Sequence, residues 1–90
     1  VKTEAMEIAD TMAIASRWSI ARNMPMYVGE FGAYNKGDLA SRVAWTRTVR
    51  SNAQRLNLGW GYWELAQGFG FLDPTTNTFR VPLLRALIPE

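Results

Sequence analysis

An α/β fold built on a parallel sheet is what this sequence predicts, and three features predict it. Two short runs, Met26 to Phe31 and Leu58 to Leu65, are apolar without polar alternation, the pattern of strands covered on both faces. Each run follows a stretch of helical periodicity. The connection between the runs is long enough to hold a crossover helix, which parallel neighbours require.

The elements follow in order along the chain. Thr3 is an N-cap, Glu4 suits a first turn, and Ile8, Met12, Ala15 and Ser19 recur at helical spacing up to Arg22. Arg22, Asn23 and Pro25 then end this helix. The first strand follows and Gly32 to Gly37 is loop. Asp38 caps a second helix to about Asn57, with Trp45, Val49, Ala53 and Leu56 on one stripe and Asp38 placed to pair with Arg42 one turn on. After the second strand, Ala66 to Arg80 reads as one long loop. Pro82 opens a last helix with Leu83, Leu84, Leu87 and Ile88 on its apolar face, and Pro89 stops it. The predicted order is helix-strand-helix-strand-helix in one domain over residues 1–90, with no second domain.

Composition bounds the possibilities. A chain of 90 residues with 48% hydrophobic residues, four Trp, three Tyr and four Phe carries more apolar side chain than so short a chain can cover. Two strands alone leave both outer edges unpaired, so self-association as a homo-oligomer, through exchange of a helix or strand, is expected. The net charge of +2 is too small for a nucleic-acid footprint, and Arg42, Arg47, Arg50 and Arg55 read as the solvated faces of the second helix. With neither Cys nor His in the chain, disulfides, Cys/His zinc sites and triad catalysis are excluded, and no metal or cofactor is called for. No apolar run is long enough to span a membrane, and Val1-Lys2-Thr3-Glu4 is no signal peptide; the chain reads as cut from something longer.

Carboxylates are the chemistry that remains. Glu30 stands at the C-terminal end of the first strand between Gly29 and Gly32, where parallel α/β architectures bind ligands. Strand alternation places it on one face with Val28 and Met26. The plain alternative is a glutamate paired to a neighbouring arginine or receiving loop amides. Trp63 holds the corresponding position on the second strand, where an indole can offer a flat apolar wall to a sugar ring, or simply fill the core.

These residues carry a family resemblance. Pro25-Met26-Tyr27-Val28-Gly29-Glu30-Phe31-Gly32-Ala33-Tyr34 resembles the seventh-strand segment of family-5 glycoside hydrolases. Trp60-Gly61-Tyr62-Trp63-Glu64, with Gly68-Phe69-Gly70-Phe71 and Asp73-Pro74 after it, is similar to their eighth-strand segment. The resemblance covers essentially the whole chain. It implies the C-terminal part, about a quarter, of a (β/α)8 barrel of the cellulase or endoglucanase type, typically about 250 residues when complete.

Transferred residue by residue, the resemblance makes Glu30 the nucleophile of a retaining glycosidase and Trp63 the floor of the sugar subsite beside the scissile bond. The substrate implied for the intact enzyme is a β-linked glucan, and intact members are usually secreted. Glu64 is expected on the opposite face from Trp63, hydrogen-bonded to the helix layer. Tyr34, Asn35 and Lys36 are placed to line the cleft, and Phe69 and Phe71 either wall it or anchor their loop. The family's acid/base, an Asn-Glu pair on the fourth strand, has no counterpart here, so the chain alone is expected to be inactive. The other reading is a carbohydrate-binding or self-assembling module that holds a glycan through Trp60 and Trp63 without cleaving it.

Overall fold

The computed structural model describes residues 1–89. Its elements are α1 (Glu4–Arg22), β1 (Tyr27–Phe31), α2 (Leu39–Arg55), β2 (Gly59–Tyr62), β3 (Leu72–Asp73), β4 (Thr78–Phe79) and α3 (Val81–Leu87). The architecture is α/β, with β1 and β2 parallel and α2 as their crossover.

Local chemistry sets the helix ends. Thr3 caps α1 by accepting from the Met6 amide at 3.2 Å, and Asn23, at φ 51°, ends it in the left-handed conformation that Asn tolerates. Asp38 caps α2, its carboxylate accepting from the Ser41 amide at 2.8 Å. The cap holds that carboxyl below its ordinary range, chiefly through the Ser41 amide. Pro82 lies in the first turn of α3, where its missing N–H leaves no hydrogen bond unmade.

Three sequence expectations are corrected. Ala66 to Arg80 is not one long loop: it holds the antiparallel pair β3 and β4, closed by Asp73 accepting from the Thr75 amide and by Asn77 at φ 56°. The observed order is therefore helix-strand-helix-strand-strand-strand-helix. Strand β2 is also shorter than the apolar run suggested, and Trp63 lies just beyond it. On α3, Ala86 rather than Ile88 joins Leu83 and Leu87 inside, and Ile88 is exposed.

The arginines give a further correction. Arg42 and Arg50 are buried, while Arg47 and Arg55 are exposed. The helix is flanked by α1 on one side and α3 on the other. Its buried positions are therefore Arg42, Thr46, Val49, Arg50 and Ala53, a stripe wider than its apolar residues. Both guanidiniums donate to carbonyl oxygens. Arg50 donates to the Ala86 carbonyl near the end of α3 at 2.8 Å and to the Gln54 side chain at 2.8 Å. Arg42 turns away from Asp38 altogether, toward the carbonyls of Ala33 and Gly70.

The core lies between the two-stranded sheet and the helices. Phe31, Val49 and Leu87 form its buried centre, with Ile8, Met12, Val28, Trp45, Trp60, Tyr62 and Phe71 packed around them. The opposite face of the sheet is open. There the exposed Tyr27 ring lies over Gly59 and Gly61, which leave room for it by lacking a Cβ.

The surface of 6072 Å² exceeds the about 5,300 Å² expected for a folded monomer of this mass. The radius of gyration of 14.1 Å likewise exceeds the about 12 Å of a self-sufficient globule. The excess is apolar in large part: Met6, Ile14, Ile20 and Tyr27 are all more than half exposed. Among the described residues no helix is long and apolar enough to cross a membrane.

Leu83 is fully buried where α3 meets α2. Leu83→Ala should lower the unfolding free energy by about 2–4 kcal/mol, read as a fall in urea midpoint at unchanged slope. Ile88→Ala should change it by less than about 0.5 kcal/mol.

Candidate active site

The site begins with an irregularity in β1. Val28 pairs with Trp60 and Phe31 with Tyr62, so β1 advances three residues while β2 advances two. The extra residue is a bulge between Val28 and Phe31, and it breaks the two-residue alternation. Phe31 thereby joins Val28 on the helix-packed face, where regular alternation would have put Glu30. Glu30 is exposed instead, which corrects the expectation that it shares a face with Val28 and Met26. Packing is the reason: a phenyl ring in the core gains what a carboxylate there would lose.

The plain alternative for Glu30 is also set aside. Among the described residues Glu30 makes no ion pair and no side-chain hydrogen bond. Its carboxylate is left free at the C-terminal end of the strand.

Trp63 follows β2 directly and is 51% exposed. Its amide donates to the Phe31 carbonyl at 2.8 Å, so the residue after Glu30 is tied to Trp63 through the backbone. Gly32 is required at this junction, because a Cβ there would collide with the Trp63 carbonyl oxygen. The peptide joining Trp63 to Glu64 is cis.

Glu64 is half-buried and hydrogen-bonded, but its partners are not in the helix layer. Its carboxylate accepts from the amides of Ala66, Gln67 and Phe69 at 3.0, 2.5 and 3.3 Å, pinning the loop that leaves β2. Hydrogen bonding to a charged acceptor is the stronger kind, and three amides use most of its capacity.

The loops after β1 and β2 lean on each other. The Asn35 amide donates to the Gly68 carbonyl at 2.8 Å, and the Tyr34 ring, 49% exposed, lies against Phe69 and over Gly68. Asn35 and Lys36 are exposed in the same loop. Phe69 and Phe71 anchor their loop: Phe69 against Tyr34, and Phe71 in the core between Tyr62 and Phe79. Tyr62 reaches under the site, its hydroxyl donating to the Phe69 carbonyl at 2.6 Å. Burial pushes that hydroxyl above its ordinary pKa, with the nearby Arg42 charge acting against the shift.

Sequence reasoning singled out Glu30 and Trp63 and missed Arg42 and Tyr62. The usable signal was the spacing of Arg42, Thr46 and Arg50, which falls in step with Val49 and Ala53 rather than against them.

Two measurements follow. Gly32→Ala should destabilise by about 1–3 kcal/mol in urea unfolding, because backbone is what the added methyl meets; Gly29→Ala, with only the Tyr27 ring 3.9 Å away, should cost less. For Tyr62, the hydroxyl's contribution is complete below the unfolded value of 10.0 and lost as pH rises through the higher folded value. Alkaline unfolding should therefore lose part of its pH dependence in Tyr62→Phe.

No family model matches the chain, and no curated protein does. Solved structures match closely. An endoglucanase aligns over 100% of this chain and 29% of its own, at 36% identity and TM-score 0.94. A hyperthermophilic endo-β-1,4-glucanase in complex with substrate aligns over 97% of this chain and 28% of its own, at 39% identity and TM-score 0.91. Thermotoga maritima Cel5A in complex with cellobiose aligns over 94% of this chain and 28% of its own, at 36% identity and TM-score 0.89. The same enzyme is known in complex with mannotriose. The chain spans less than a third of the length of these proteins. Matching one of them along its whole length, at 36% identity, a chain with this sheet and these strand-end loops belongs to the family-5 glycoside hydrolases and is similar to the C-terminal part of their endoglucanases.

Proposed function

We propose that this chain is the nucleophile-bearing segment of a retaining endo-β-1,4-glucanase. The observation that carries the reading is Glu30: exposed, free of ion pairs and hydrogen bonds among the described residues, and re-aimed by the bulge beside a half-exposed Trp63. The substrate class is a β-1,4-linked glucan, in keeping with the cellobiose held by one structural neighbour.

In this reading a Glu30 carboxylate oxygen attacks the anomeric carbon as the bond to the glycosidic oxygen breaks, and that oxygen leaves with a proton from a second carboxylic acid. Water, deprotonated by the same group, then displaces Glu30 from the sugar. Trp63 supplies the apolar face on which the ring stacks. The second carboxyl must stand about 5–5.5 Å from the first. Glu64 is committed to three loop amides and Asp73 to the Thr75 amide, and in this reading the acid/base is the fourth-strand glutamate that the family resemblance implies, outside these 90 residues. The chain alone is therefore inactive, and its open sheet face and strand edges favour self-association.

The test is size-exclusion chromatography with light scattering beside a reducing-sugar release assay on a soluble β-1,4-glucan. A folded oligomer without turnover is the expected result. Hydrolysis by the chain alone that disappears in Glu30→Gln would mean that Glu64 or Asp73 acts as the acid/base after all. Glycan binding without turnover that Glu30→Ala leaves unchanged would favour a binding module over a dismantled catalytic site.

A further inference from the structure

Arg42 is 5% exposed, and among the described residues no carboxylate lies within 4.0 Å of it. A buried guanidinium without a counter-ion is retained only where carbonyls satisfy it with good geometry. Here the two carbonyls belong to different loops. Nε donates to Ala33, three residues beyond Glu30, at 3.1 Å. Nη2 reaches Gly70, in the loop that follows Trp63, at 3.4 Å.

The Gly70 carbonyl is itself a fixed point. It also accepts from Arg80 Nη1 at 2.8 Å, and the same nitrogen donates to the Leu72 carbonyl at 3.1 Å. Gly70 is packed so closely that a Cβ would collide with the backbone of Leu65 and Ala66. The loop after β2 is thus held from behind, and Arg42 connects it to the loop after β1. Its guanidinium is hydrogen-bonded to both loops, with the Tyr62 hydroxyl beside it.

We propose that Arg42 is a positioning residue: from the helix layer it sets the loop after Glu30 against the loop after Trp63, and so fixes the nucleophile relative to the sugar platform. The functional part rests on the glycosidase reading above, whereas the clamp itself does not. Arginine suits the task because its rigid fork presents donors on different nitrogens to two acceptors at once. A lysine ammonium, a point donor on a flexible stem, keeps the charge without that two-way reach. Misplacement of reacting groups by about an ångström can cost as much as ~100-fold in rate, so a clamp outside the cleft still bears on the chemistry.

The experiment compares the unaltered chain with Arg42→Lys and Arg42→Met. Amide hydrogen exchange is followed by NMR at Asn35 and Trp63, which report the seam, and at Ala53, which reports the α2 core. In parallel, cellotetraose is titrated against the indole resonance of fluorotryptophan-labelled chain. The expected result is exchange about tenfold faster at Asn35 and Trp63 with Ala53 changed less than about twofold, and cellotetraose affinity lowered about tenfold. Lysine should not rescue either property. Unchanged exchange at the seam in both variants would overturn the clamp, as would recovery by lysine. Equal acceleration at all three amides would make Arg42 a general stability residue and overturn it too. Failure of the unaltered chain to bind cellotetraose would count against the glycosidase reading, while the exchange arm would still decide for or against the clamp.

Discussion

Phe31 and Glu30 are neighbours with opposite requirements, and both lie at the end of a strand that must pair with β2. The Phe31 ring packs against Trp45, Trp60 and Tyr62 with centroids 6.3, 5.6 and 5.4 Å away, at the centre of the apolar core. Such a ring gains from burial and from edge-on aromatic contact, whereas a carboxylate in its place would have no charge to answer it. The extra residue in β1 resolves the conflict, keeping Val28 and Phe31 inward together and releasing Glu30. Everything beyond the bulge depends on that offset, including the Trp63 amide's bond to the Phe31 carbonyl and the close approach at Gly32.

The floor beneath this junction is polar and partly buried. Arg42, Arg80, Tyr62 and Glu64 each serve a backbone group in the loops after the two strands, and between them they hold the carbonyls of Ala33, Phe69, Gly70 and Leu72 and three amides. Irregular backbone that cannot pair in a sheet must find partners elsewhere when it is covered. Side chains from α2, from β2 and from the start of α3 supply them. The strand ends bearing Glu30 and Trp63 are joined to loops held by these side-chain hydrogen bonds.

The sheet has a second, unfinished aspect. Its face away from the helices carries Tyr27 over Gly59 and Gly61, and among the described residues both outer strand edges lack a neighbour. The surplus surface and extended shape follow from the same cause. In the neighbouring endoglucanases the matched segment is 28–29% of the chain.

The sequence by itself determined the α/β class, the helix ends at Thr3, Asn23 and Asp38, the crossover between two apolar strands, and the two residues of interest at the strand ends. Each is a local matter: a cap, a left-handed turn, a periodicity, or a motif of consecutive residues. The tertiary structure alone decided which face Glu30 takes, that Arg42 and Arg50 are internal, that Glu64 serves its own loop, and that a hairpin interrupts the last connection. The facing of Glu30 and the burial of the two arginines turn on what packs against a residue from far along the chain, whereas Glu64 and the hairpin find partners within a few residues whose pairing no periodicity marks. A guanidinium's fate depends on carbonyls 28 or 36 positions away, and a bulge depends on which of two adjacent side chains the core can accommodate. Periodicity records only the average environment of a segment; the partners that fix each side chain come together when the chain has folded.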